Sequence, residues 1–422
     1  MTTPTLSRRT ILEASAAVPI LGLASAASKA AEISGSETVS VTPFEIDLPS
    51  AQLDDILNRV RNVNWPVSPQ TPDPWQYGAS LAAMKDLQDY WLNEYDWREQ
   101  EAKLNKYPHF KANIVGYDIH FVHVKGSGKN PQPIILTHGW PGSYIEFLRT
   151  VDRLAHPEKY GVPEEAAFDV VIPSLPGFAY SSKPERPMSQ KLMSRILDRL
   201  MVEGLGYDRY IAQGGDFGAG ISVGMTAESQ HCAAANINLV LGVGSQPQNE
   251  EERAAQRQWD RVYNTEGAYQ HIQRTKPLSL SYGFSDSPMA CAAWLMEKYR
   301  TWSGIPNDNP WSIYPKSQVM NIIMTYVTTN SLGTSTWMYT GANGGEDDVL
   351  PARREAVEKP YVGVTHFPSE LVFWPESYAE RVYNLLSWTD LPAGGHFGAF
   401  EQPIIFAREM RDFSRLVRGR GI

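Results

Sequence analysis

Short apolar runs alternate with helical patterns between residues 133 and 240, and this alternation restricts the chain to few architectures. Runs rich in Val, Ile, Leu and Ala predict four strands, at 133–137, 168–173, 209–213 and 235–240. Helical patterns are found between them, at 143–154, 189–205 and 218–230. Strands that are apolar throughout and separated by helices indicate a parallel sheet covered on both faces.

The sequence as a whole predicts five parts for the chain. Paired arginines before a modestly apolar stretch make residues 1–30 similar to a twin-arginine export signal, too short and too weakly apolar to span a membrane. Residues 31–112 are predicted to form a mainly helical N-terminal segment. An α/β core is expected at 113–243 and 356–422, interrupted by a helical, Trp- and Tyr-rich insertion at 244–355. Such an insertion is typical of a lid over a site.

Further elements are expected at the two ends of the core. The alternating pattern at 118–124 predicts a half-buried strand, strands are expected again at 361–364 and 384–388, and a final helix at 403–417. The export signal predicts a periplasmic or secreted protein. We find no other candidate for a membrane-spanning segment.

The composition argues against several functional classes. Lys and Arg number 38 against 47 Asp and Glu, a formal net charge of −9 without a basic run, which argues against nucleic-acid binding. Two cysteines allow at most one disulfide and exclude a cysteine-rich zinc module. No metal or cofactor motif is found, so no cofactor is expected. Whether the chain forms a homo-oligomer is left open.

The motif Gly-Gly-Asp-Phe-Gly at 214–218 carries the strongest chemical signal. It follows a predicted strand and begins a predicted helix. A strained turn at this place, the nucleophile elbow, presents a nucleophilic side chain at its centre, and in this motif the central residue is Asp216. A side chain at Gly214 or Gly218 would clash with neighbouring backbone. The helix N-terminus favours the ionised carboxylate. A carboxylate needs no base to attack a saturated carbon, and the resulting ester can then be hydrolysed by activated water.

A histidine that could activate this water follows the last predicted strand, in Gly-Gly-His-Phe at 394–397. The chain order for this elbow is nucleophile, acid, histidine, which makes His396 the candidate base. Glu370, shortly after the strand at 361–364, is the preferred acid that orients it. Glu376, Glu380 and Asp390 remain alternatives.

Two backbone N–H groups are candidates for stabilising an oxyanion. His-Gly-Trp-Pro-Gly-Ser at 138–143 follows an early strand, and a loop at that place supplies one such donor beside the residue after the nucleophile. These donors are therefore expected to be the N–H groups of Trp140 and Phe217. His138 itself is interpreted as a structural residue of the loop.

These motifs, with Pro-Phe-Glu-Ile at 43–46 and Asn-Trp-Pro at 64–66, resemble the microsomal-type epoxide hydrolases, including bacterial members and insect juvenile-hormone enzymes. The resemblance extends from about residue 43 to the C-terminus. It implies an α/β-hydrolase core with an N-terminal wrapping meander and a helical lid. The implied reaction converts small lipophilic epoxides and water to vicinal diols without a cofactor, a reaction suited to detoxification and xenobiotic metabolism.

The resemblance also assigns site residues. It implies that Asp216 is the nucleophile, His396 the base and Glu370 the acid. In this family two lid tyrosines hydrogen-bond the epoxide oxygen and supply a proton as the ring opens, and Tyr269 and Tyr339 match them.

Two departures from the family pattern bear on the alternatives. Phe217 stands where the family usually has Trp, and Trp337 where it commonly has Arg. A haloalkane dehalogenase shares the fold and the Asp nucleophile, but such enzymes typically hold the halide with indole N–H groups, including a Trp after the nucleophile. A non-catalytic binding protein on the same scaffold is the third hypothesis. The presence of Asp216, Glu370 and His396 argues against it.

Overall fold

A mixed sheet of nine strands organises the part of the chain that the computed structural model describes, residues 39–242, 245–305, 309–342 and 350–422. The strands are β1 (Val41–Phe44), β2 (His109–Ile114), β3 (Tyr117–Val124), β4 (Gln132–Thr137), β5 (Phe168–Pro173), β6 (Tyr210–Gly214), β7 (Cys232–Ile237), β8 (Tyr361–His366) and β9 (Asn384–Asp390). Their order in the sheet is β1-β2-β3-β5-β4-β6-β7-β8-β9. The neighbouring pairs β1–β2, β2–β3 and β3–β5 are antiparallel. All other neighbouring pairs in the sheet are parallel.

Helices precede, connect and follow these strands. The first group comprises α1 (Ser50–Arg61), α2 (Leu81–Asn93), α3 (Trp97–Leu104), α4 (Leu148–Ala155), α5 (Gln190–Arg199) and α6 (Phe217–Glu228). Between β7 and β8, the described residues form seven α-helices: α7 (Glu250–Glu266), α8 (Ala268–Thr275), α9 (Pro277–Asp286), α10 (Pro288–Thr301), α11 (Lys316–Thr328), α12 (Leu332–Ser335) and α13 (Trp337–Gly341). The last three are α14 (Glu376–Val382), α15 (Gly398–Glu401) and α16 (Pro403–Gly419).

The four apolar runs form the strands β4 to β7, and all of them are parallel, as predicted. Every residue of β5, β6 and β7 is buried, since helices cover both faces of the sheet. The fold class predicted from the sequence, an α/β-hydrolase core, is confirmed. The strands expected at 361–364 and 384–388 are also found, as β8 and β9.

The N-terminal region contains two strands that were not predicted. The sequence predicted a mainly helical segment, but β1 and β2 add two antiparallel strands there. The strand β1 has only four residues, one of them a proline, and all four are partly or fully exposed. It therefore shows no alternation of apolar and polar residues that would predict a strand. The strand β3 was predicted to be half-buried, yet residues 119–122 are buried in succession. Consecutive strand residues point to opposite faces, so both faces of β3 are covered.

Some predictions concern residues outside the described ranges. The export signal predicted at 1–30 is one, and it stays a prediction. Within the described residues, no helix combines the length and the apolar character needed to cross a membrane.

The carboxyl ends of the parallel strands determine where the site forms. Parallel strands end at the same edge of a sheet, and ligands in open α/β sheets bind outside that edge. The loops after β4, β6, β8 and β9 carry Trp140, Asp216, Glu370 and His396, respectively. The fold therefore brings together residues that are up to 256 positions apart in the sequence (396 − 140).

A buried carboxylate attaches the chain after β1 to the helix α3. Glu101 accepts hydrogen bonds from the Leu48 backbone N–H at 2.8 Å and from the Trp97 indole N–H at 3.1 Å. Its other oxygen accepts from the Arg98 guanidinium at 2.6 Å. Because Leu48 and Trp97 are buried, these donors have no access to solvent as a replacement partner.

We expect the substitution Glu101→Ala to lower the free energy of unfolding by about 2–4 kcal/mol, because it leaves buried donors without an acceptor. Urea denaturation measures this change. The matched control is Glu99→Ala on the same helix, whose carboxylate forms an exposed pair with Lys103. That variant should stay within about 0.5 kcal/mol of the wild type. Equal losses in both variants would contradict the assignment.

Candidate active site

Asp216 lies on a tight turn between β6 and α6. Its φ of 50° and ψ of −129° place a non-glycine residue in a sparsely populated region, as predicted for the elbow. A β-carbon at Gly214 would lie 2.1 Å from the carbonyl oxygen of Gly218. A β-carbon at Gly218 would lie 2.1 Å from the carbonyl oxygen of Thr137. The two glycines allow the turn to approach the backbone after β4.

The carboxylate of Asp216 is held from the β4 side. The backbone N–H of Trp140 donates to its Oδ1 atom at 2.9 Å. Burial raises the pKa of the Asp216 carboxyl, while His396 and the backbone N–H groups of Phe217 and Trp140 oppose this rise. A β-carbon at Gly139 would lie 2.3 Å from Oδ1, so the carboxylate fits only against a glycine there. The two predicted oxyanion donors thus both act on the Asp216 carboxylate.

His396 lies between two carboxylates. Its Nδ1 atom is 2.9 and 3.0 Å from the two carboxylate oxygens of Glu370, and its Nε2 atom is 3.6 Å from Oδ2 of Asp216. An Nδ1–H that donates to Glu370 leaves Nε2 directed at Asp216. Burial by itself would lower the pKa of His396, but Glu370 above all, with Asp216 and Glu146, raises it to about 9.

The structure separates Glu370 from the other carboxylates considered as the acid. Asp390 is 2.8 Å from the Nδ1 atom of a different histidine, His366. Glu376 and Glu380 belong to α14 and make no contact with His396 in the described part of the chain. Glu370 is buried and faces His396 directly.

A cavity of about 500 Å³ extends from Asp216 beneath the helices α7, α8 and α13. Tyr269 and Tyr339 line it, and the indole of Trp140 stacks on the first ring and meets the second edge-on, with centroids 5.3 and 5.7 Å apart. The Tyr269 hydroxyl accepts a hydrogen bond from the side-chain amide of Gln270 at 3.0 Å. The Tyr339 hydroxyl is buried and interacts with the hydroxyl of Tyr269. Burial raises the pKa of both phenols, which keeps them protonated as donors.

A second cavity, of about 20 Å³, lies beside Asp216 and His396. This volume is large enough for a water molecule. Its lining includes the buried polar side chains of Glu146, Thr137 and Gln213. The hydroxyl of Thr137 and the amide oxygen of Gln213 have no hydrogen-bond partner among the described residues, so the cavity offers unused acceptors for water.

Glu146 was not predicted as a site residue, although the sequence carries a signal for it. Ser143 and Glu146 form a capping box, a pattern readable from the Ser-x-x-Glu spacing. Burial raises the pKa of Glu146 to about 8, against the opposing charge of His396. Its Oε1 atom accepts a hydrogen bond from the backbone N–H of Ser143 at 3.1 Å.

Glu401 was also missed, and no local pattern marks it. Its carboxylate accepts hydrogen bonds from the backbone N–H groups of Gly395 at 2.9 Å and Phe397 at 3.0 Å, on either side of His396. It also accepts from the N–H of Gly304, after α10, at 2.9 Å. These contacts fix the loop that carries His396 to the segment between α10 and α11. In the described part of the chain, no group of three or more His, Cys, Asp or Glu side chains could hold a metal ion.

An aspartate on a strand–elbow–helix turn, with a His–Glu pair at the same sheet edge, defines an α/β hydrolase of the aspartate type. Comparison with known proteins narrows this class. The family described as epoxide hydrolase N terminus matches residues 41–147, and the alpha/beta hydrolase fold family matches residues 132–342.

Comparison with individual proteins also indicates an epoxide hydrolase. A relative from Stigmatella aurantiaca (strain DW4/3-1) is 37% identical over 396 residues, which cover 90% of this chain and 86% of the relative. Epoxide hydrolase 1 of Sus scrofa is 31% identical over 414 residues, 90% of each chain. The crystal structure of juvenile hormone epoxide hydrolase from Bombyx mori superposes with a TM-score of 0.80 at 27% identity, covering 91% of this chain and 96% of that one. The chain belongs to the epoxide hydrolase family.

We expect the His396 imidazole to titrate near pH 9 in an NMR pH titration of histidine-labelled protein, because the carboxylate of Glu370 stabilises the cation. The substitution Glu370→Gln should lower this pKa further than Asp216→Asn, since Glu370 is closer. The control Glu376→Gln should leave it unchanged. An unaltered His396 pKa in Glu370→Gln would contradict the proposed pairing.

Proposed function

We propose that the protein hydrolyses lipophilic epoxides to vicinal diols through a covalent ester on Asp216. The observation that carries this proposal is the position of the Asp216 carboxylate. It lines the large cavity together with the His396–Glu370 pair and the two phenols of Tyr269 and Tyr339, and its Oδ2 atom is 3.6 Å from Nε2 of His396. Membership of the epoxide hydrolase family supports the same reaction.

In the first step, Asp216 attacks a carbon of the epoxide ring. Trp140 holds Oδ1, which leaves Oδ2 as the attacking atom. The ring C–O bond breaks, and a phenol of Tyr269 or Tyr339 donates its proton to the departing oxygen. An alkoxide is a poor leaving group in an apolar site, so a neutral donor at this place lowers the barrier.

In the second step, water hydrolyses the ester. Ester formation removes the negative charge of Asp216, which had helped to raise the pKa of His396. The imidazole then releases its proton more easily, and this proton restores the phenol that was deprotonated in the first step. The neutral imidazole can then act as a base and take a proton from water. A water in the small cavity beside Glu146 and His396 is placed to attack the ester carbonyl. The oxyanion that forms meets the N–H groups of Trp140 and Phe217. Cleavage of the acyl C–O bond passes the second proton of the water to the departing oxygen, which releases the diol and restores the Asp216 carboxylate beside protonated His396.

Dehalogenation of haloalkanes is the second candidate, and one observation favours it. The indole N–H of Trp302 is buried without a hydrogen-bond partner among the described residues and lies beside the large cavity. Such a donor suits a halide. The paired phenols beside Asp216 have no role in that reaction, whereas ring opening of an epoxide requires a proton donor.

We also propose that the chain is exported through its twin-arginine-like segment at 1–30, which is supported by the sequence pattern alone. A large apolar cavity then suits a role in the detoxification of lipophilic epoxides.

The substitution His396→Gln should trap the ester, because it removes the base for the second step but leaves Asp216 in place. Incubation with a panel of lipophilic epoxides is expected to add the mass of one intact epoxide, located on the Asp216 peptide by mass spectrometry. His366→Gln is the matched control, since that histidine pairs with Asp390 instead of Glu370, and it should show no adduct. An adduct formed only with chloroalkanes would instead support the dehalogenase. The absence of any adduct in folded protein would contradict a covalent mechanism on Asp216.

The substitutions Tyr269→Phe and Tyr339→Phe should each slow formation of the ester by about 10²–10⁴-fold, because each removes a proton donor. Stopped-flow or quenched-flow measurement of adduct formation in the His396→Gln background isolates this step. Tyr263→Phe is the control, because Tyr263 lines the same cavity but stacks on Trp259. Wild-type rates in both Tyr269→Phe and Tyr339→Phe would exclude them as donors.

A further inference from the structure

A buried lysine of α10 lies beside the ring of Tyr269. The side chain of Lys298 is only 3% exposed, and its ammonium is 4.5 Å from the centre of that ring. The rings of Trp294 and Trp302 lie 5.6 and 5.7 Å from the same nitrogen. Aromatic faces attract a cation at such distances. Because burial of a charge costs free energy, the position of this ammonium against a candidate proton donor calls for a functional explanation.

The ion-pair partner of Lys298 does not cancel its effect on Tyr269. The carboxylate of Glu297 is 2.6 Å from the ammonium, but the Glu297 side chain is 23% exposed. Solvent screens the charge of this anion, whereas the ammonium acts on the Tyr269 ring through buried surroundings of low polarity. Glu266 also interacts with Lys298, and burial raises the pKa of the Glu266 carboxyl. The positive charge therefore remains effective at the phenol.

The surroundings of Tyr269 change as the reaction proceeds. Burial and the charge of Asp216 raise the pKa of the Tyr269 phenol, while the Gln270 amide and the Tyr339 hydroxyl oppose this rise. Formation of the ester removes the charge of Asp216, so that one obstacle to a phenolate disappears as the epoxide ring opens. The attraction between the Lys298 ammonium and the ring increases at the same time, because the ring gains negative charge.

We propose that Lys298 is a positioning residue for ring opening, whose ammonium stabilises the negative charge that Tyr269 acquires as its phenol protonates the epoxide oxygen. This inference rests on the proposed epoxide hydrolysis and adds a residue on which its first step depends. In that step the Tyr269 O–H bond breaks, the proton joins the epoxide oxygen, and the electron pair stays on the phenolate. An interaction that strengthens only as this charge develops raises the rate without tighter binding of the substrate.

The substitution Lys298→Met removes the charge but keeps a side chain of similar length. In the His396→Gln background, it should slow ester formation at saturating epoxide by about 10- to 30-fold, because a desolvated cation–π contact is lost. The epoxide concentration that gives half the maximal rate should be unchanged. Lys298→Arg keeps a positive charge and should recover most of the rate. Quenched-flow measurement of adduct formation gives both quantities.

A double-mutant cycle separates this role from a purely structural one. In Tyr269→Phe the ring cannot become a phenolate, so the additional substitution Lys298→Met should leave the rate of ester formation unchanged. In Tyr339→Phe the additional substitution should keep its full effect. An equal loss in the Tyr269→Phe and parent backgrounds, or the parent rate in Lys298→Met, would overturn the inference. Lys298→Gln takes the place of Lys298→Met if the methionine variant does not fold, with the same expected results.

The matched control is Lys316→Met, which removes a similar cation from α11. The Lys316 ammonium lies 4.7 Å from the centre of the Tyr90 ring and 2.9 Å from the carboxylate of Asp86. Tyr90 is not among the described residues that line the large cavity, so this variant should form the ester at the parent rate. The absence of any adduct in folded His396→Gln would refute the proposed hydrolysis itself. An adduct whose rate does not respond to Lys298→Met would refute only the role of Lys298.

Discussion

The arrangement of the site depends on how closely the Asp216 turn approaches the backbone after β4. Oδ1 accepts the N–H of Trp140, and the turn leaves no space for a β-carbon at Gly139, Gly214 or Gly218. This crowding directs the carboxylate outward from the sheet edge at a φ that side chains rarely adopt. The backbone donors, the base and the cavity all take their positions around that one carboxylate.

The charges of the site are mutually dependent. Glu370 and Asp216 stabilise the His396 cation, and that cation in turn opposes the rise in the pKa of Asp216 caused by burial. Removal of any one charge therefore changes the protonation of the others. In the proposed mechanism, alkylation of Asp216 is such a removal, which adapts His396 to its role as base at the moment when a base is required. Glu401 holds the His396 loop against the α10–α11 segment, so the base is fixed relative to the lid.

Predictions from the sequence were accurate where local pattern and burial agree. The strands β4 to β7 are apolar throughout because both faces of the sheet are covered, and such runs are visible without any alignment. The short strand β1 and its partner β2 were missed because four partly exposed residues carry no period-two signal. The burial of both faces of β3 could not be read from its alternation, since it depends on neighbours distant in sequence.

The sequence by itself determined the elbow at Asp216, because glycine spacing and the strand-to-helix change are local properties of the chain. It also identified His396, Glu370, Tyr269 and Tyr339 as candidates by order and resemblance. Only the tertiary structure decided that Glu370, and not Asp390, faces His396, since chain order cannot choose among four carboxylates that all precede His396. The same holds for Glu146 and Glu401. Their surroundings consist of residues brought from several loops and helices, and burial and charge pairing arise only when those segments pack together.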